Sequence, residues 1–214
     1  MIPAKNRSPA LLLGAVTLIA LSISARGAEV QTRNREVIVL VRHGEKPPQG
    51  LGQLTCRGLN RALLLPGFFA EHFAKPDYIF APDPSVKATE IHGDGRRYDY
   101  VRPLETIAPT AIRLGMPIDT QLPYNDPGRL ADVLLDAPYR SATVFVAWEH
   151  QNLVDFAAIV LRRMGSSAEV PPWDNSDYDR VFVLTIDWSK PAAELAVRSE
   201  GLKEISDQCP NAHP

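Results

Sequence analysis

Apolar residues along this chain fall into short unbroken runs, and the stretches between the runs carry helical spacing. That alternation is the signature of an α/β protein. The segment Glu36–Val41 is β-branched and apolar without alternation, as a strand buried on both faces must be. Thr143–Trp148 repeats the pattern, and Arg180–Trp188 supplies a third strong strand. Asp77–Ala81 is a shorter strand stopped by Pro82-Asp83-Pro84, and Ala193–Arg198 reads as a returning edge.

Helices are expected between these strands. Leu54–Leu65 has helical spacing with Thr55 as N-cap; Pro66 interrupts it, and Gly67–Phe73 reads as a second short helix. Arg102–Leu114 carries Pro103 in its first turn and Gly115 as its stop. Pro127–Leu135 and Asn152–Met164 complete the set, and Ile91–Arg97 is a glycine-rich polar loop. The pattern predicts a three-layer α/β/α sandwich around a mostly parallel central sheet with an antiparallel edge.

The first residues depart from this pattern. Lys5 and Arg7 precede an uncharged apolar run, Ala10–Ile23, followed by the small residues Ser24, Ala25, Gly27 and Ala28. This is the layout of a secretory signal peptide over residues 1–28, with the folded domain at 29–214. The run is short of the about 20 residues a bilayer span needs, so no stable span is expected after cleavage. A periplasmic or secreted location follows as an expectation, with a retained N-terminal anchor as the alternative. In that setting Cys56 and Cys209 pair or remain two thiols; the sequence leaves both open.

Bulk composition narrows the chemistry. At 214 residues the chain suits one domain, and its formal charge of −2 argues against a nucleic-acid partner. Phosphate recognition must therefore be local, through a few placed cations. One strand end offers them: Val41-Arg42-His43-Gly44-Glu45 closes the first buried run. Open α/β sheets bind ligands at the carboxyl edge of such strands. His150 follows the second buried run in the same way, so both imidazoles reach one crevice if the strands are parallel neighbours. His72, His92 and His213 lack that context and read as surface, loop and tail residues.

Four ordered blocks carry a resemblance. They are Val41-Arg42-His43-Gly44-Glu45, Leu54-Thr55-x-x-Gly58-x-x-Arg61-Ala62, Arg102-Pro103-Leu104-Glu105-Thr106 and Trp148-Glu149-His150. Together the chain resembles the histidine phosphatase superfamily, which includes the cofactor-dependent phosphoglycerate mutases and acid phosphatases. The resemblance implies His43 as nucleophile, with Arg42, Arg102 and His150 forming the phosphate pocket. It implies a small phosphorylated substrate and neither metal nor cofactor. Elementary chemistry agrees: Arg42 beside His43 favours the neutral imidazole, and two guanidinium groups can pair with phosphoryl oxygens.

The proton donor for the leaving group carries no motif. Asp119, Asp126 and Asp132 lie between the second arginine and the second histidine, and Glu149 adjoins His150. Glu149 is preferred, with Asp126 as the alternative general acid. Arg96 and Arg97 would border the pocket if the polar loop folds toward it; an exposed insertion is the simpler expectation. The resulting reading is an exported, metal-independent phosphomonoester hydrolase working through phospho-His43. Its alternatives are a phosphomutase or phosphotransferase, and a non-catalytic module of the same fold that binds a phosphorylated ligand. The sequence sets no oligomeric state.

Overall fold

The computed structural model describes Met1, residues 34–202 and residues 204–210. The expected signal segment after Met1, and His213, lie outside the described residues.

Five strands form the central sheet: β1 (Arg35–Arg42), β2 (Tyr78–Phe80), β5 (Thr143–Trp148), β6 (Arg180–Asp187) and β7 (Ala192–Ser199), in the order β2-β5-β1-β6-β7. β2, β5 and β1 are parallel, β6 runs antiparallel to β1, and β7 returns antiparallel to β6 as the edge. The expected sandwich is therefore present, with its antiparallel part confined to one side. A separate two-stranded ribbon, β3 (Ala88–Thr89) with β4 (Arg97–Tyr98), carries the polar loop at its tip.

Strand periodicity explains the layers. Successive residues of a strand face opposite sides. Ile38, Leu40, Val144 and Val146 point to one side and bury the helices α3 (Pro127–Leu134) and α4 (His150–Arg163) through Leu130, Leu153 and Phe156. Val39, Val41 and Phe145 point to the other and bury α1 (Cys56–His72) and α2 (Arg102–Leu114) through Leu65, Phe69 and Ile107. Central strands covered on both faces cannot alternate polar with apolar, which is why their sequence runs are continuous.

One expectation fails at Pro66. It does not end a helix; α1 runs through it to His72. Proline removes one backbone donor there, but Leu65, Pro66, Phe68 and Phe69 are all buried, and Phe69 stacks on Phe145 with ring centroids 4.4 Å apart. Apolar packing outweighs the missing hydrogen bond. Thr55 caps α1 as expected, accepting from Gly58 N at 3.1 Å. Cys56 and Cys209 form a disulfide with a Cα separation of 4.4 Å. The tail is held further by Asn60, whose side-chain amide donates to Ser206 O and Gln208 O. No helix among the described residues is long and apolar enough to cross a membrane.

Candidate active site

The sheet register brings the two histidines together. Arg42 of β1 pairs with Trp148 of β5, and His43 N donates to Trp148 O at 3.0 Å. The two parallel strands thus end side by side, and His150 opens α4 two residues beyond Trp148. Both imidazoles are buried and line one cavity of about 450 Å³ together with Arg42 and Arg102.

His43 Nδ1 lies 2.7 Å from Gly44 O. A carbonyl only accepts, so Nδ1 carries the proton and Nε2 presents its lone pair. Burial, then the charges of Arg102 and Arg42, hold the His43 pKa well below its ordinary value. The imidazole is therefore neutral at physiological pH, as a nucleophile must be.

Both arginines are gripped at one end only. Arg42 Nη1 donates to Asn175 O at 2.8 Å and Asp177 O at 3.2 Å, and its guanidinium lies over Tyr178, 3.9 Å from the ring centroid. Arg102 Nη1 donates to Gly50 O at 3.3 Å and to Glu90 Oε1, and its guanidinium lies 4.7 Å from the Tyr100 centroid. Nε of each arginine is buried without a hydrogen-bond partner among the described residues. Anchoring Nη1 leaves the side edge, Nε with Nη2, for an oxyanion; this is the edge that makes bidentate contacts. Buried donors are rarely left unpaired, so these two Nε groups are candidate donors to an oxyanion.

His150 lies between two side-chain oxygens, hydrogen-bonded to one and at ion-pair distance from the other, where Nδ1 has no hydrogen-bond partner among the described residues. Its Nε2 is 2.6 Å from Asn175 Oδ1, and its Nδ1 is 2.6 Å from Glu149 Oε1. Glu149 is also the N-cap of α4, its Oε2 accepting from Asn152 N at 2.8 Å and Asn152 Nδ2 at 2.7 Å. Burial pushes its pKa up, but the His150 contact and the helix N–H groups outweigh this and bring it to about 2. Glu149 lines the cavity as expected, yet it is held ionised and its oxygens are occupied, which suits orienting His150 better than giving a proton. Asp126 caps α3 through Arg129 N and is not among the cavity-lining residues. The alternative acid thus caps a helix outside the cavity lining.

The remaining motif residues are structural. Thr106 Oγ1 accepts from Gly44 N at 2.9 Å and donates to Arg102 O at 2.8 Å, tying the His43 turn to the second arginine. Glu105 accepts from Leu54 N at 3.1 Å. Arg61 forms a paired contact with Glu45 at 3.0 and 2.9 Å. Glu45 thus faces α1 rather than the cavity.

Sequence reasoning missed several cavity residues: Lys46, Glu90, Tyr100, Asn175 and Tyr178. Glu90 falls between strands of two residues each, too short to show a period. Asn175 and Tyr178 lie in a turn-rich segment that reads as connection. The ribbon does border the cavity, through Ala88 to His92, whereas Arg96 and Arg97 are exposed and do not line it.

No family model matches the chain, and no curated protein matches its sequence. Solved structures do match. A mycobacterial glucosyl-3-phosphoglycerate phosphatase in complex with inorganic phosphate aligns with a TM-score of 0.51 at 16% identity, over 78% of this chain and 100% of its own. A putative alpha-ribazole-5'-P phosphatase from Escherichia coli aligns at 0.51 and 13%, over 77% and 96%. Mycobacterial hydrolase 2 aligns at 0.52 and 13%, over 81% and 94%. The chain shares the fold of these solved structures.

Proposed function

We propose that this chain is a histidine phosphatase that hydrolyses small phosphomonoesters through phospho-His43. One observation carries the reading: His43, protonated on Nδ1, shares a cavity with Arg42 and Arg102, whose Nε groups have no hydrogen-bond partner among the described residues. The two arginine edges bind the phosphoryl oxygens, and His150, held between Asn175 Oδ1 and Glu149, lines the same cavity. His43 Nε2 attacks phosphorus while the bond to the leaving oxygen breaks, and that oxygen departs with the bonding pair and takes its proton from solvent. Water then attacks the phosphohistidine, orthophosphate leaves and His43 regains its lone pair. Charge stabilisation and positioning supply most of the catalysis in such transfers, and two arginines provide both without a metal. The superfamily fold, shared with two structural neighbours named as phosphatases, supports the class of reaction.

Export belongs to the same proposal. The apolar run Ala10–Ile23 and the Cys56–Cys209 disulfide both favour an oxidising, extracytoplasmic setting. N-terminal sequencing of the protein from the extracytoplasmic fraction would test it, and an unprocessed cytoplasmic chain would overturn it.

The activity test is direct. Wild-type protein is expected to hydrolyse an aryl phosphate and to retain base-stable, acid-labile phosphate after a quench, whereas His43→Ala does neither while keeping its fold. Wild-type protein inert toward every aryl phosphate would overturn the reading.

A further inference from the structure

Glu90 lines the same cavity, although no motif marks it. Building on the phosphatase reading, we propose that Glu90, carried into the cavity by the β3–β4 ribbon, is the positioning residue for Arg102.

The two phosphate-binding arginines are held alike by unlike means. Arg42 has Nη1 fixed by backbone carbonyls of the 174–177 segment and keeps Nε free. Arg102 also keeps Nε free, but its Nη1 has a single backbone acceptor, Gly50 O; the other acceptor is the Glu90 carboxylate. Glu90 is 2% exposed, and each of its oxygens is engaged. Oε1 also accepts from Gly52 N at 3.3 Å, and Oε2 accepts from Lys46 Nζ at 3.0 Å. Burial raises its pKa, but pairing with Arg102 and Lys46 outweighs that, and the carboxyl stays ionised.

The ribbon is built to deliver this carboxylate. Glu90 O accepts from Gly93 N at 2.9 Å, and Asp94 N reaches across to Gln49 O at 3.2 Å. A Cβ on Gly93 would lie 2.3 Å from Gln49 O, and one on Gly50 would lie 2.1 Å from Glu90 Cδ. Backbone therefore meets backbone on one side of Glu90, and its side chain fills the room above Gly50 on the other. Held this way, the Arg102 guanidinium is fixed in the cavity that His43 also lines. Without the carboxylate the Arg102 guanidinium loses its only charged anchor among the described residues, and the edge is no longer fixed.

Phosphate affinity measures this without requiring turnover. Calorimetric titration of the folded full-length protein with inorganic phosphate is compared for wild type, Glu90→Gln, Glu90→Ala, Arg102→Ala and the Glu90→Ala/Arg102→Ala pair. Glu90→Ala is expected to weaken phosphate binding roughly tenfold and to add nothing once Arg102 is gone, since residues acting through one another are not additive. Glu90→Gln keeps an acceptor and the side-chain volume, and is expected to weaken binding roughly threefold. In turnover of an aryl phosphate the Glu90 variants raise KM as well as lowering kcat, whereas a simple loss of folded protein lowers kcat alone. Unchanged or tighter phosphate binding in folded Glu90→Gln would overturn the proposal, because it would make Glu90 a bystander or a competing anion. Additive losses in the double variant would overturn it too. Failure of wild-type turnover alongside intact coupling in phosphate binding would instead sink the phosphatase reading and leave this one standing.

Discussion

Gly44 and Gly58 meet backbone to backbone. A Cβ on Gly44 would lie 2.8 Å from Gly58 O, and one on Gly58 would lie 2.5 Å from Glu45 O. Gly44 therefore serves a close approach, and what it approaches is the first turn of α1. Thr55 N donates to Glu45 O at 2.8 Å and completes the suture. Helix α1 is thereby fastened to the turn that carries His43.

That suture makes Gly58→Ala a damaging substitution. The added methyl has only backbone to push against, and overpacking of this kind costs about 1–3 kcal/mol. The displaced turn takes His43 out of line, and a shift of about 1 Å at a reacting group can cost about 10²-fold in rate. We expect a lowered melting temperature and at least a tenfold loss in kcat/KM for an aryl phosphate. Leu59→Ala, at a partly exposed neighbouring position, leaves the rate near wild type. Wild-type kinetics in Gly58→Ala would show that the turn is free of α1.

The contrast between Gly58 and Glu90 separates what is legible in the amino-acid pattern from what is not. Gly58, Arg42, Arg102 and His150 stand at fixed points of long, strongly patterned elements, so strand ends and helix starts locate them from the order of residues alone. The central strands are legible for the same reason, being continuously apolar. Glu90 belongs to strands of two residues, and its role depends on a ribbon folding back onto the 47–52 segment; neither leaves a periodic trace. The run through Pro66 is illegible because proline's local preference loses to tertiary burial of its neighbours. Which carboxylates stay ionised is equally hidden, since partners such as Asn152 N and Lys46 Nζ are set by packing.

Acid should not silence His43 at ordinary pH. With its pKa held well below the usual value, chiefly by burial and then by the two arginines, the acidic limb of kcat/KM contributed by His43 falls well below pH 6.5. The sign for stability is the matching one. A depressed histidine pKa leaves stability intact above about pH 6.5 and removes it as pH falls, because the unfolded chain binds the proton that the native state refuses. Rate and melting profiles from pH 4 to 8 check both. An acidic limb of wild-type kcat/KM centred near pH 6.5 that persists when His150 is replaced would contradict the assignment.

Glu36 gives the opposite slope. It is fully buried in β1; Oε2 accepts from Trp188 Nε1 at 2.9 Å, and Oε1 has no partner among the described residues. Burial pushes its pKa up to about 8, against the Trp188 hydrogen bond and Arg140. A raised carboxyl pKa means that its contribution to stability is fully present below about 4.5 and is lost as pH rises through about 8. Glu36→Gln, which cannot ionise, should match wild type at pH 4.5 and exceed it at pH 8.5 by on the order of 2–4 kcal/mol. Denaturant midpoints at the two pH values decide it, and equal differences at both would refute the buried-acid account.

Reduction of the Cys56–Cys209 bridge tests how the tail is held. The bridge joins residues 153 apart in sequence, and a loop of that length is worth up to about 5 kcal/mol through the unfolded state. Arg57–Asp207 and the Asn60 hydrogen bonds hold the same tail, but they are exposed and contribute little. Cys209→Ser should therefore lower the melting temperature by several degrees, as should a reductant added to wild type. Both treatments should leave kcat near wild type below the transition. An unchanged melting temperature in reductant would mean that the tail is not bridged in solution.

Leaving-group acidity should govern the rate steeply. The carboxyl groups lining the cavity, among the described residues, are Glu90 and Glu149. Glu149 is held near 2 by His150 and the start of α4, and Glu90 is kept ionised by Arg102 and Lys46. Neither has a proton to give at neutral pH, and general acid catalysis typically contributes about 10²- to 10⁴-fold. A site without it relies on leaving groups that depart as anions. Aryl phosphates with acidic phenols should turn over about 10²-fold or more faster than simple alkyl phosphates. Phosphorylation of His43 should then limit the rate only for the poor leaving groups, so burst kinetics appear with the good ones alone. A flat dependence across a series of substituted phenyl and alkyl phosphates would show that a proton donor operates. Loss of activity confined to the alkyl esters in Glu149→Gln would identify Glu149 as that donor, and the same pattern in Glu90→Gln would identify Glu90.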